Sequence, residues 1–324
     1  MKERDIQFDN FRAILILLVV VTHFMEPLAK EIPIMEYFRK LIFTFHMPAF
    51  VFISGYFSKK NDFWKLVKRL LIPYGIMQVV FYLFGTFLWG TDPSFSIIKP
   101  VFSMWFLLAL FVWRCSIGHL SQLKGLLFFA FLAGLLAGIL PEIGKNFSLS
   151  RILVFFPYFV LGYRFDKEKF MKKADRTGTK IAAIVFFLCV GISMKFLYSG
   201  MDLRLVKCDS SYQRMHLVNG WIDRGILYLA AIGIICTLIL WMPKKKHFYT
   251  YMGSRTMGIY MVHGLCFKTI LNCTNWYTFF NTKSGAVMLL FLSIGICFLL
   301  STSVVNKMAG LLFSFPIEKM LKQE

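Results

Sequence analysis

Ten apolar stretches dominate this sequence, at about 11–28, 40–58, 70–90, 100–116, 124–140, 151–164, 180–198, 222–242, 255–272 and 285–306. A helix needs about 20 mostly apolar residues to cross a hydrocarbon core, and fewer where its ends snorkel or pack among other helices. So many spans set so close leave too little polar surface for a water-soluble fold. Of the 324 residues, 57% are hydrophobic and 17% charged, and mean hydropathy is +0.63. An ordinary globular chain is roughly 45–50% apolar and about 25% charged. Disorder and a soluble enzyme are therefore excluded. The expected fold is all-α: a polytopic integral membrane bundle of about ten transmembrane helices, one domain over 1–324 without a fused soluble domain. The spans at 151–164 and 255–272 are short and interrupted, whereas 70–90, 222–242 and 285–306 are nearly free of charge.

A formal charge of +20 would point a soluble chain toward nucleic acid. Here the cations sit in short clusters between spans, as in Lys59-Lys60, Lys65, Lys68-Arg69, Lys167 to Lys180 and Lys244-Lys245-Lys246. No clustered basic face with interleaved stacking aromatics appears, so nucleic acid is not an expected partner. Basic loops are retained on the cytoplasmic side, and the Lys and Arg excess places both termini there. The longest connection, about 199–221, falls outside and carries Arg204, Lys207, Arg214 and His216. It reads as a solvated connector or as a lid over an acceptor.

The seven cysteines fall mostly inside apolar spans, without a CxxC pair or metal-ligand spacing. They read as small core residues and no metal is expected. Cys208 and Cys273 lie in loops assigned outside, where one disulfide is conceivable. The first apolar run follows acidic as well as basic residues and lacks a small-residue cleavage site, so it reads as a mature helix.

Ionisable groups at membrane depth cost several kcal/mol and default to functional candidates. In the first span Asp9 and Arg12 precede ten residues, nine of them apolar, which lead to His23, with Glu26 three residues further on. Eleven residues at about 100° each close three turns plus about 20°, so Arg12 and His23 share one helix face about 16 Å apart. A cation at the cytoplasmic mouth with an imidazole deeper in suits a reactive channel. The imidazole is the natural general base near neutral pH. Asp9 and Glu26 are spaced to pair with or orient Arg12 and His23. A helix-packing hydrogen bond is the competing role for His23. A second histidine, His46, is placed at the outer start of the second span, at comparable depth. After it, Ser54 and Gly55 permit close approach of a backbone or ligand.

Together these residues resemble a family. Arg12-X10-His23 preceded by Asp9, the stretch FHMPAFVFISGYF from Phe45, and Lys68-Arg69-Leu70-Leu71-Ile72-Pro73 are similar to the membrane acyltransferase-3 superfamily, in its fucose 4-O-acetylase-like branch. Met104-Trp105-Phe106-Leu107, the Ser150–Tyr163 run and the Gly253–His263 run resemble later motifs in the same order. The resemblance implies a ten-helix enzyme of the plasma (inner) membrane, bacterial by that likeness, that moves an acetyl group from acetyl coenzyme A to a carbohydrate hydroxyl. It maps Arg12 and His23 onto an essential pair and Arg69 onto an arginine near the cytoplasmic mouth. Arg151 and His263 match motif positions whose roles spacing does not assign. Many relatives carry a fused extracellular hydrolase-like domain. Its absence here implies an acceptor that reaches the membrane pore: a glycan precursor, a lipid-linked sugar or a small molecule.

A sugar hydroxyl is too weak an acid to attack a thioester unaided and needs a base within about 3 Å. His23 is the candidate, with Glu26 or Asp9 as orienters, although a route through acetyl-histidine uses the same residue. Ser54 is a candidate oxyanion donor. Arg12, Lys68, Arg69 and Arg255 lie near the inner surface and suit the donor's phosphates. No P-loop or dinucleotide fingerprint offers another way to hold them. His46, Trp105, Arg151, Tyr158 and His263 are candidate acceptor contacts, with packing the competing role for the aromatics. The rival reading is a proton-coupled transporter or flippase in which Arg12, His23, Glu26 and His263 form a path, though paired halves are not seen. Besides the acceptor, membrane lipids are the expected partners. The oligomeric state, a homodimer included, is left open.

Overall fold

The computed structural model describes residues 4–312 except 142, 144 and 145. Among them every regular element is helical. In chain order the α-helices are α1 (Ile6–Phe24), α2 (Pro33–Tyr56), α3 (Phe63–Phe87), α4 (Trp105–Leu120), α5 (Leu126–Leu136), α6 (Leu149–Arg164), α7 (Lys167–Ala174), α8 (Thr177–Phe196), α9 (Leu203–Lys207), α10 (Gly220–Trp241), α11 (Thr256–Cys273), α12 (Lys283–Leu300) and α13 (Ser303–Leu312). Leaving aside α7, α9 and α13, a helix lies over each of the ten apolar stretches. Five of them, α1, α3, α8, α10 and α12, are long and apolar enough to cross a membrane. The chain's last residues, on which the expected placement of the C-terminus falls, lie outside the described ones.

Two boundaries depart from expectation for local reasons. Helix α2 begins at Pro33 rather than near 40, because a proline at the first helical position arrives with φ already set. Its first turns are amphipathic. Glu36 pairs with Lys40 at 3.4 Å, while Arg39 is buried and reaches Glu26 at 2.7 Å. His46 therefore sits mid-helix, not at a helix start. Helix α3 begins at Phe63 with the Asp62 side chain accepting from the Lys65 amide, and Val67–Leu71 is π-helical. Pro73 comes two residues later and cannot donate to the Arg69 carbonyl four residues back, so the turn widens there.

Helix α1 is the axis of the bundle and is buried on nearly every side, packed by α2, α11, α12 and the short turn Thr250–Ser254. Its polar first turns are pinned from within. Gln7 donates to the Ile239 carbonyl at 2.8 Å, Asn10 donates to the Pro243 and Lys245 carbonyls at 2.8 Å, and Thr250 donates to Asn10. A Cβ at Gly253 would lie 1.9 Å from the Asp9 carbonyl oxygen, so the turn closes on α1 only because that position is glycine.

The tightest helix pair is α2 with α6. A Cβ at Gly55 would meet the Phe159 carbonyl oxygen at 2.1 Å, and one at Gly162 the Phe52 carbonyl oxygen at 1.8 Å. Reciprocal glycines let two backbones touch, as small residues do between membrane helices. On the periphery, α8 exposes Ile181, Val185, Leu188 and Ile192 at helical spacing, a stripe suited to lipid rather than water.

Charge segregates by end. Around the start of α1, Lys167 pairs with Asp5 at 2.7 Å and Lys59 donates to the Tyr163 carbonyl. Nearby, Lys180 and Lys244 converge on Asp175, and their hydrogen bonds pull its carboxyl down to about 2. The opposite end holds Glu26, Arg39, Arg151, Lys207 and Asp209.

Candidate active site

One face of α1 carries Arg12, Ile16, Val19 and His23, spaced four, three and four residues apart. Two cavities line up along it. A chamber of about 170 Å³ runs beside Arg12, Ile16, Val19, Met47, Ser54 and Tyr260. A larger cavity of about 540 Å³ is lined by His23, Glu26, His46, Trp105, Arg151 and Lys207 among others. Val19, Met47 and Tyr260 border both, so the two chambers adjoin between Arg12 and His23 with those side chains at their common boundary.

Three histidines lie near this boundary and differ in how they are held: His46 and His263 are buried, whereas the His23 side chain is 18% exposed and lines the larger cavity. His46 Nδ1 lies 2.8 Å from the Ile42 carbonyl oxygen and His263 Nδ1 lies 3.2 Å from the Ile259 carbonyl oxygen. A carbonyl only accepts, so both rings carry their proton on Nδ1. His23 has no such backbone anchor. Its Nδ1 is buried, lacks a hydrogen-bond partner and lies 4.0 Å from the Glu26 carboxylate. The His23 ring centroid is 5.3 Å from that of His263 and 4.5 Å from that of Phe102. Phe102 holds its ring there from a left-handed backbone, φ 49°, and against Gly264, where a Cβ would meet the ring at 2.7 Å. Such strain in a non-glycine residue persists only where surroundings enforce it, and it collects at functional sites.

Two ion-pair sets frame the larger cavity. Glu26 receives Arg39 at 2.7 Å and Lys207 at 3.6 Å. Arg151 donates to the Lys207 carbonyl at 2.9 Å, pairs with Asp209 at 3.1 Å and lies 5.0 Å over Trp105, whose ring stacks on Phe155. Burial lowers the Lys207 ammonium from the usual lysine range, against the pull of Glu26. Lys207, Val206 and Asp209 bring the 199–221 connection into the cavity wall. Arg204 instead pairs with Asp202 at 2.6 Å, and Arg214 and His216 do not line the cavity.

Not every candidate gathers here. Asp9 is buried and lies 3.4 Å from Arg12, whose guanidinium also covers the Phe57 ring at 4.2 Å. Ser54 lines the smaller chamber. Lys68 and Arg69 sit on the π-helical turn and border neither chamber, and Arg69 is exposed. Arg255 donates to the Ser301 carbonyl at 2.6 Å, closing the end of α12. Tyr158 faces a separate, smaller space. All seven cysteines are free thiols, so the conceivable Cys208–Cys273 bridge does not form. The buried Cys208 thiol donates to the Leu205 carbonyl, while Cys273 is exposed and close to Leu88.

Sequence reasoning did not single out Arg39, Lys207, Asp209, Phe102 or Tyr260 as site residues. Tyr260 lay within the run ending at His263, and Lys207 was visible as a charge in the long loop. Arg39 stood before the expected start of α2 and gave no signal.

Cations, carboxylates and histidines around adjoining cavities in an apolar helix bundle mark a membrane-embedded enzyme. The acyltransferase domain family matches residues 5–302, and the chain belongs to that family. It is similar to the nodulation protein NolL of Mesorhizobium japonicum, 24% identical over 90% of this chain and 86% of the relative. Nodulation protein NolL of Sinorhizobium fredii is also 24% identical, over 82% of this chain and 78% of that protein. No solved structure matches significantly. The chain is thus an acyltransferase, and the transporter reading of the same residues finds no support. Among the described residues no group of three or more His, Cys, Asp or Glu is placed to hold a metal.

Proposed function

We propose that this protein transfers an acetyl group from acetyl coenzyme A to a carbohydrate or lipid-linked glycan hydroxyl, with His23 as general base. The observation that carries the reading is the common boundary of the two cavities between Arg12 and His23. The narrow chamber beside Arg12 suits the donor's thin arm, and the wide one beyond His23 suits a sugar. Arg12 stands where the donor's phosphates would enter, with Asp9 fixing its guanidinium. The more distant Lys68, Arg69 and Arg255 form a basic approach rather than a wall.

In the step itself the acceptor oxygen bonds to the acetyl carbon as His23 takes its proton. The tetrahedral intermediate then collapses, the carbon–sulfur bond breaks, and the proton passes to the departing thiolate. The Glu26 carboxylate, 4.0 Å away, steadies the imidazolium that forms. The oxyanion needs a donor, for which Ser54 lies on the donor side. His46, which lines the larger cavity with its Nδ1–H held by a carbonyl, offers Nε2 as a hydrogen-bond acceptor to the acceptor sugar, while His263 lines neither chamber and packs beside His23. Trp105 and Arg151 offer a stacking face and a fork of donors to a sugar ring. Ten crossings with both termini cytoplasmic, in a bacterial plasma membrane and as one domain, complete the reading.

The test is thermal stability of detergent-purified protein across an acetyl coenzyme A titration. A ligand that binds the native state raises Tm by mass action. The wild type and His23→Ala should show a saturable rise that Arg12→Ala abolishes and Arg69→Ala weakens. A flat wild-type curve well above millimolar donor overturns the donor assignment.

A further inference from the structure

Behind the acceptor cavity lies a second buried cation that the proposed reaction does not use. Arg224, near the start of α10, is 2% exposed, and its Nε, Nη1 and Nη2 atoms are all buried without a hydrogen-bond partner among the described residues. A guanidinium keeps its charge in any protein environment and carries five N–H donors. Neighbouring groups do not neutralise it. The Tyr212 ring lies 5.0 Å from the guanidinium carbon, a cation–π contact that offsets part of the burial. The Tyr228 hydroxyl donates to the Val154 carbonyl, the Tyr212 hydroxyl to the Leu135 carbonyl and the Cys208 thiol to the Leu205 carbonyl. Asp209 is engaged by Arg151. Buried charges are normally paired, since leaving one uncompensated is among the costliest defects a fold can carry.

Arg224 borders a chamber of about 20 Å³, lined also by Pro48, Val154, Tyr158, Cys208 and Tyr228. That is room for one water-sized species. We infer that this chamber is a binding site for a single monatomic anion, chloride under ordinary conditions, held by the Arg224 guanidinium. A water molecule would accept from Arg224 but leave the charge unbalanced, whereas a halide supplies both acceptor and counter-charge. A carboxylate or phosphate borne by the acceptor is too large for the space, and Phe43, Phe155 and Val206, which line both cavities, stand between them. The anion would tie α10 to α2, α6 and the connection after α9. Of these, α2, α6 and that connection also line the acceptor cavity, so the ion would stiffen its wall from behind. The inference does not depend on which acyl group or acceptor is used.

The experiment measures Tm of the purified protein in sodium gluconate as chloride, then bromide, replaces gluconate at constant ionic strength. Both halides should give a saturable rise of about 3 °C in the wild type. Arg224→Met, which fills the space without the charge, should show none. Equilibrium dialysis of the wild type against radioactive chloride should give one site per chain, and Arg224→Lys, which keeps a buried charge should Arg224→Met fail to fold, should bind it more weakly. Equal stability in gluconate and chloride together with no bound chloride overturns the proposal. So does a chloride response that survives in Arg224→Met, because the ion would then act elsewhere. An acceptor-type anion such as glucuronate that stabilises the wild type through Arg224 while chloride does not would make the chamber an acceptor subsite and equally overturn it.

Discussion

At the scale of single residues, three histidines share one neighbourhood but only two have a nitrogen committed to a carbonyl of their own helix. Anchoring Nδ1 leaves Nε2 free on those two rings as well, so what singles out His23 as the base is its carboxylate: Glu26 lies 4.0 Å from its Nδ1, and neither other ring has a carboxylate that close among the described residues. His23→Ala should therefore lower acetyl transfer by about 10²–10⁴-fold, the usual worth of a general base, while leaving Tm within a few degrees of wild type. Activity near the wild-type rate would remove His23 from the chemistry. Glu26 has a second duty, because it balances the buried Arg39 as well as Lys207. Glu26→Gln should destabilise the protein by about 1–2 kcal/mol, a figure kept small because the carboxylate is one-third exposed. The double variant Glu26→Gln, Arg39→Met should recover much of that loss, and additive Tm changes would refute the coupling. Arg12, His23 and Glu26 were legible in the sequence because a charge within an apolar run stands out. Arg39 and Phe102 were not, since their roles come from a distant partner and from a backbone conformation that spacing does not encode.

At the scale of elements, apolar run length located a helix for each stretch but misjudged where helices begin. Hydropathy marks where lipid contact starts, whereas the Pro33 start and the Asp62 cap are local backbone events in polar sequence. The pairing of α2 with α6 follows the same lesson. Ser54-Gly55 suggested a close approach in advance, but its partner, Gly162, became meaningful only once Phe52 and Phe159 were seen to face the two glycines. Because a methyl at Gly162 would sit 1.8 Å from a backbone oxygen, the helices must separate to admit it. Gly162→Ala should cost on the order of 3 kcal/mol or more, beyond ordinary overpacking, and should sharply reduce folded yield. Gly178→Ala, where nothing lies within 4 Å of the added carbon, is the matched control and should be near neutral. Similar Tm values for the two variants would mean that the α2–α6 contact is looser than described.

For the whole molecule, the division of charge between the two ends carries a prediction about which side each cavity serves. Helix α11 runs from Thr256, next to Arg255 at the end of α12, to Cys273 at the end that carries the larger cavity. If the basic end around Lys167 and Lys244 is cytoplasmic, as Lys and Arg retention requires, Cys273 faces outward. It is exposed and free, and serves as a built-in reporter. Cys189 is also exposed but lies within α8, among residues suited to lipid, where a charged reagent does not reach it. In intact cells a membrane-impermeant maleimide should label the wild type, and Cys273→Ser should lose that labelling. In the Cys273→Ser background, Lys245→Cys should react only after the membrane is opened. The reverse pattern would invert the bundle. Arg12 and the narrow chamber would then face outward, away from cytoplasmic acetyl coenzyme A, and the donor and acceptor sides would have to be exchanged.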